Sequence, residues 1–270
     1  MWNRAIYDSL TAIYAVSLLF YFWDAVQPTR RVNRTALVLL FLVFLGETAE
    51  LMLRLRSDGY MPVYSRFDAL LLVSWLLLLV ALVVDAFYRV DLLVFFANVL
   101  GFSFVLFNSF SPNSSIAHVV HDRDLLILHI ISAILSYVAL SLSFVFSAMY
   151  LLQEKLLREK RFNRWFLHLP GLETLDSYAY RSVLIGFPLL LIAMVFGTVW
   201  GEVVLHRWIL LDPKPIATVA VWLMYAVYLV LRIQSGWAGK NLVWYNCLCF
   251  IAVLLNFAFI GNFSSFHQSI

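Results

Sequence analysis

Long apolar runs separated by short polar stretches make up almost the whole chain. The runs occupy residues 5–22, 36–53, 67–87, 92–110, 125–152, 182–199, 216–231 and 242–260, and none alternates strictly between polar and apolar positions. Crossing ~30 Å of hydrocarbon as a helix takes about 20 residues, whereas a barrel strand needs about 10 with strict alternation. In lipid every backbone N–H and C=O must be paired internally, so long runs without alternation become helices. The pattern predicts an all-α membrane protein, a single bundle of eight transmembrane helices forming one polytopic domain over residues 1–270. Two connections stand out, a tryptophan-containing loop at 199–215 and a basic loop at 153–181.

Composition sharpens this reading. Hydrophobic residues make up 63% of the chain and charged ones 13%, against about 45–50% apolar in soluble domains. No small-residue cleavage site follows the first run, so it is expected to stay as a span. Cys247 and Cys249 fall inside the last run and read as small apolar packing residues. No CxxCH occurs, which excludes covalent heme attachment of the c type. Glycine phosphate loops, GxSxG elbows and HExxH pairs are missing too. No catalytic residue is predicted, the expectation is a non-enzyme, and no nucleic-acid partner is expected.

The 19 Lys and Arg residues set the orientation. With the first span entering from outside, twelve fall on inner segments, among them Arg30, Arg31, Lys155 and Arg164, and seven on outer ones, among them Arg54, Arg123 and Lys214. The positive-inside rule then puts both termini on the outer side of the cell membrane and the 153–181 loop in the cytoplasm. On this topology His118, His121, His129, His206 and His267 face outward. His168 faces in.

Polar residues inside the spans carry two readings each. Glu47 and Glu50 share a helical face with Arg54 four residues beyond Glu50, which offers an interfacial ion pair. Glu47, lying deeper, alternatively belongs to a proton path or a ligand contact. Asp68 and Asp85 bracket the third span as boundary residues. His118 and His121 form an HxxH without a third ligand and read as loop residues. The run from Lys155 to Arg164 is an inner-surface charge that anionic lipid or a cytoplasmic partner would meet.

The 199–215 loop gathers Trp200, Arg207, Trp208, Asp212 and Lys214 between two spans, at the level of His129 and His267. Two imidazoles converging from different helices can ligate a heme iron axially while aromatic rings cover the macrocycle and cations meet its propionates. His129 and His267 are the candidate iron ligands, Trp200 and Trp208 the platform, and Arg207, Lys214 or Arg123 the propionate partners. Interfacial histidines and tryptophans that only mark the membrane surface are the alternative, and the residues by themselves leave both open.

Four segments carry a resemblance. LHIISAILSYVALSLSFVFSAMYLLQEKLLREK holds His129, and LETLDSYAYRSVLIGFPLLLIAMVFGTVW, WILLDPKPIATVAVWLMYAVYLVLR and NFAFIGNFSSFHQ follow in order. Together, over roughly residues 60–268, they resemble the cytochrome c assembly superfamily of heme-handling membrane proteins, which includes CcsA-type and HemX-type members. The resemblance implies that His129 and His267 are heme ligands flanking a tryptophan-rich outer loop, the heme most simply being heme b. Heme-lyase members carry WxNxAWGxYWxWDPKETWA. Here only Trp200, Asp212, Pro213 and Lys214 match, with Trp208 one place from an aromatic position. Their GHxPxSNLYES histidine is replaced by Tyr60 in GYMPVYSRFDA, which removes the ligand of a second, inner heme.

The chain thus looks more like HemX-type than CcsA-type members. That likeness implies a role in heme biosynthesis regulation, lowering the level of glutamyl-tRNA reductase, or in cytochrome c biogenesis beside another subunit. The alternatives are a CcsA-type heme-transporting lyase subunit and a small-molecule transporter without heme.

Overall fold

The computed structural model describes residues 2–27, 29–58, 63, 65–88, 91–109, 123–160, 166, 169–205, 212–234 and 239–258. Every regular element among them is a helix: α1 (Trp2–Val26), α2 (Arg30–Asp58), α3 (Arg66–Tyr88), α4 (Asp91–Ser109), α5 (Arg123–Arg158), α6 (Leu172–Leu205), α7 (Pro213–Gln234) and α8 (Lys240–Ala258). Seven of them, α2 to α8, are long and apolar enough to cross a membrane. α1 forms where the first span is expected but is not among the seven, so the eight helices appear while a count of eight spans does not. Large apolar side chains such as Ile185, Val195, Leu223 and Leu248 are about half exposed. Water would penalise that surface, and lipid favours it. It is a multi-pass membrane protein.

The helices overrun the apolar runs that predict them. α5 continues to Arg158 and α6 starts at Leu172, so helix covers much of the 153–181 stretch. Charged ends are tolerable there because they pair: Glu154 binds Arg158 one turn on and Lys240 at the start of α8, and Asp176 of α6 binds Arg232 of α7. Likewise α6 runs on to Leu205, which puts Trp200 on a helix and not in the 199–215 loop where the sequence places it.

The chain divides into two compact units, residues 1–115 with 162–169, and residues 116–161 with 170–270. In the first, α1 to α4 pack around a core in which Tyr7, Tyr14 and Tyr21 recur every seven residues against Ala36, Leu40 and Val43 of α2. A seven-residue repeat keeps one seam of a helix facing its partner. The polar residues on that seam find one another. Tyr14 donates to Asn98 Oδ1 at 3.0 Å, Ser17 to the Ala36 carbonyl at 3.0 Å, and Tyr7 to the Val105 carbonyl at 2.9 Å.

In the second unit, α6 runs antiparallel to α5 in a fixed register. His129, Ser136 and Ser143 stand seven residues apart on α5 and bond the carbonyls of Ala193, Gly186 and Ala179, which step back by sevens along α6. Small residues permit the approach, as in other membrane helix pairs. Asn246 of α8 then donates to the hydroxyls of Ser143 and Ser147 at 2.7 and 2.8 Å. Cys247 and Cys249 are buried thiols in the same helix, in keeping with a packing role.

Candidate functional site

The site is built at the start of α5. Asp124 lies in the first turn, a favourable place for a carboxylate near the free N–H groups of a helix. His129 follows one turn later, half-buried against α6. Its Nδ1 lies 2.6 Å from the Ala193 carbonyl. A carbonyl has no proton to give, so Nδ1 carries the hydrogen and the neutral ring keeps its lone pair on Nε2. Nε2 has no hydrogen-bond partner among the described residues. One ring nitrogen is held by a backbone acceptor and the other keeps its lone pair, an arrangement compatible with metal ligation.

Gly197 makes room for that ring. A Cβ there would sit 2.7 Å from Nδ1 and 2.8 Å from Cε1 of His129. The imidazole therefore lies directly on the α6 backbone, and any side chain at position 197 would lift it off. Trp200, three residues on, is 2% exposed.

On the far side of the connection, Asp212 and Pro213 start α7. Asp212 Oδ1 accepts the Lys214 N–H at 3.0 Å and its carbonyl accepts from Ile216, which makes it the helix cap, with proline at the first helical position where no N–H is needed. Lys214 reaches back to α8. Its Nζ donates to the Asn256 carbonyl at 2.7 Å and stands 5.8 Å from the Phe257 ring centre. The last carbonyls of a helix lack intrahelical donors and carry partial negative charge, so an ammonium is well placed there. Asn256 Nδ2 returns a bond to Thr218, closing the contact between α7 and α8. Phe257 also meets Tyr137 of α5 edge-on, at 5.9 Å between ring centres.

Of the residues singled out from sequence, His129, Trp200, Asp212 and Lys214 are placed, and Asp212 and Lys214 meet at the start of α7. Arg207, Trp208 and His267 lie outside the described residues, as do Tyr60, His118, His121, His168 and His206. Sequence reasoning missed Gly197, Ala193 and Asn256. The first two act through backbone, which leaves no side-chain signature, although the seven-residue spacing of His129, Ser136 and Ser143 was there to be read. In the first unit Glu50 and Arg54 pair as expected at 3.0 Å, and Asp68 joins them, 3.0 Å from Arg54. Glu47 is no part of that ion pair. It is fully buried, with Oε1 accepting from Ser74 at 2.9 Å.

Comparison with known proteins bears on what such a site does. The family described as cytochrome c assembly protein matches residues 64–267. The chain is similar to Protein HemX of Brevibacillus brevis, with 39% identity over 267 residues, 98% of each chain. It is similar also to Protein HemX of Bacillus subtilis (strain 168), with 37% identity over 263 residues, 96% of this chain and 95% of the relative. Cytochrome c biogenesis protein CcsA of Prochlorococcus marinus (strain MIT 9312) is 28% identical over 229 residues, 76% of this chain and 74% of the relative. No solved structure matches.

Proposed function

The chain belongs to the cytochrome c assembly protein family, and from that premise we propose that it binds heme at its outer face with His129 and His267 as axial ligands. The observation that carries this reading is the hydrogen bond from His129 Nδ1 to the Ala193 carbonyl. It fixes the tautomer, and with it the lone pair on Nε2 that an iron ligand must offer. Heme b, when bound, would supply a redox-active iron within a flat, amphiphilic, anionic macrocycle. The chain's own residues suit that ligand. Trp200 and Trp208 offer apolar faces, while Lys214 and Arg207 offer cations to carboxylates. Lys214 lies at the start of α7, with its ammonium at the C-terminal end of α8. Asp212 holds the turn that carries it.

The likeness to two HemX proteins over nearly the full chain favours a HemX-like, non-enzymatic factor of the bacterial cytoplasmic membrane, both termini outside, over a CcsA-type heme-transporting lyase. Such a factor acts through a partner, either by lowering the level of glutamyl-tRNA reductase in heme biosynthesis or beside another subunit of cytochrome c biogenesis. Tyr60 at the position of the inner ligand fits the same choice.

The test is the absorption spectrum of detergent-purified protein, oxidised and reduced, as isolated and after adding hemin, beside His129→Ala and His267→Ala. A six-coordinate low-spin spectrum lost in both variants is the expected result. Protein that stays colourless and takes up no hemin refutes the proposal.

A further inference from the structure

The first unit holds a buried group that the heme reading does not use. Glu47 on α2 is 0% exposed, and its Oε2 has no hydrogen-bond partner. Around it each of the other three helices contributes one polar side chain at the same depth: Ser74 of α3 on Oε1, Tyr14 of α1, and Asn98 of α4, which accepts from Tyr14. Tyr14 OH and Ser74 Oγ both lie against Gly101 of α4, where an added Cβ would meet them at 2.7 and 3.5 Å, so glycine is what lets the four groups meet. Asn98 Nδ2 is taken by the Val94 carbonyl in its own helix.

A second polar layer lies six to ten residues away along each of these four helices, toward one common end. It comprises Tyr7 of α1, Arg54 of α2, Asp68 of α3 and, on α4, the Val105 carbonyl with Asn108. On α2 that separation is ~10 Å of helix. Glu50 stands between the layers, one turn from Glu47 on the same face and bound to Arg54. The titratable groups facing Glu47 are therefore Tyr7 and Tyr14 from α1, Glu50 and Arg54 from its own helix, and Asp68 from α3, while α4 offers only amides. Arg54 is already held by Glu50 and Asp68 and stacks at 4.0 Å over Phe67. Among the described residues no cation forms an ion pair with Glu47, and an unpaired charge with a single hydrogen bond is among the most costly things to bury.

We propose that Glu47 is a proton-exchange site, a carboxyl that holds a proton on Oε2 at the blind end of a polar lane and trades it with the membrane surface by way of Glu50 and the Arg54 end. The occupant is the proton; Ser74 hydrogen-bonds the carboxyl, and neither it nor the neighbouring Tyr14–Asn98 pair supplies a positive charge. The site is independent of heme and stands whether or not His129 ligates iron.

Infrared spectra of the full-length protein in lipid vesicles, in H2O and D2O, test this directly against Glu47→Gln, an isosteric change that keeps the Ser74 acceptor. The expected result is a carbonyl band of a protonated carboxyl that shifts in D2O and is lost in E47Q. Dicyclohexylcarbodiimide supplies a second readout. The carboxyl proton moves to a carbodiimide nitrogen, the oxygen adds to its central carbon, and the O-acylisourea rearranges to an N-acylurea that retains the whole reagent with no leaving group. Peptide mapping should find that adduct on Glu47, falling as pH is raised, and not on Glu50 or Asp68. Wild-type and E47Q spectra that superimpose in the carboxyl region overturn the proposal. A band that never shifts in D2O also overturns it, since it marks a locked structural acid.

Discussion

Replacing Gly197 by alanine tests the geometry of the His129 ring more sharply than removing the ring. The new Cβ would stand 2.7 Å from Nδ1 and 2.8 Å from Cε1, whereas carbon contacts are comfortable at about 3.5–4.0 Å. The α6 backbone is fixed by its own ladder, so the imidazole has to retreat by about 1 Å. That stretches the bond to Ala193 from 2.6 Å past the range in which it counts as a hydrogen bond. Losing it costs about 1 kcal/mol, and residual crowding about 1–3 kcal/mol. Alanine returns about 1 kcal/mol by its better helix propensity. Net destabilisation is thus about 1–3 kcal/mol, measurable by reversible unfolding in mixed detergent. Disturbing the group that orients a metal-binding histidine typically weakens the metal site about 10–100-fold, and hemin titration followed by absorption should show a loss of that size. Gly171→Ala, where a Cβ meets nothing within 4 Å, should leave hemin affinity unchanged. A Gly197→Ala protein that titrates indistinguishably from wild type would refute the reasoning, because the Ala193 contact would then have no part in presenting Nε2.

Three other perturbations have definite outcomes. Arg54→Leu strands the buried carboxylates of Glu50 and Asp68, so stability in the same unfolding assay should fall by about 3–5 kcal/mol, and a further Glu50→Gln change should recover part of it. Asn246→Ala removes the donor shared by Ser143 and Ser147; with hydrogen bonds between membrane helices worth about 0.6–1.7 kcal/mol and a cavity added, unfolding should register a loss of about 1–3 kcal/mol. Lys214→Met frees the Asn256 carbonyl, and hydrogen exchange should quicken in the last turn of α8 while the middle of that helix stays protected.

The membrane-spanning helices were legible because a solvent of hydrocarbon leaves one way to pair the backbone, and apolar runs of the right length state it. Their ends were not. Helix beyond the hydrocarbon is sustained by Glu154 with Lys240 and Asp176 with Arg232, pairs between residues distant in sequence that no local pattern announces. The same limit hid Asp68 from the Glu50–Arg54 pair, since only that pair sits at helical spacing. Glu47 is the instructive case. Spacing suggested company with Glu50 and Arg54, and three helices arriving from elsewhere in the chain gave it a hydroxyl instead. At the candidate site, chemistry singled out His129, whereas what presents it is a carbonyl and a missing methyl group on α6.

The register between α5 and α6 has a mechanical consequence. Bonds at His129, Ser136 and Ser143 rivet α5 to α6 at intervals over 14 residues, a length of ~21 Å. Sliding one helix along the other by less than a full repeat shears every rivet together, so the pair resists piston motion and moves as one strut. A disturbance felt by the imidazole is then carried to the opposite leaflet as tilt or rotation of the whole strut, with the Glu154 and Lys240 end swinging as its far tip.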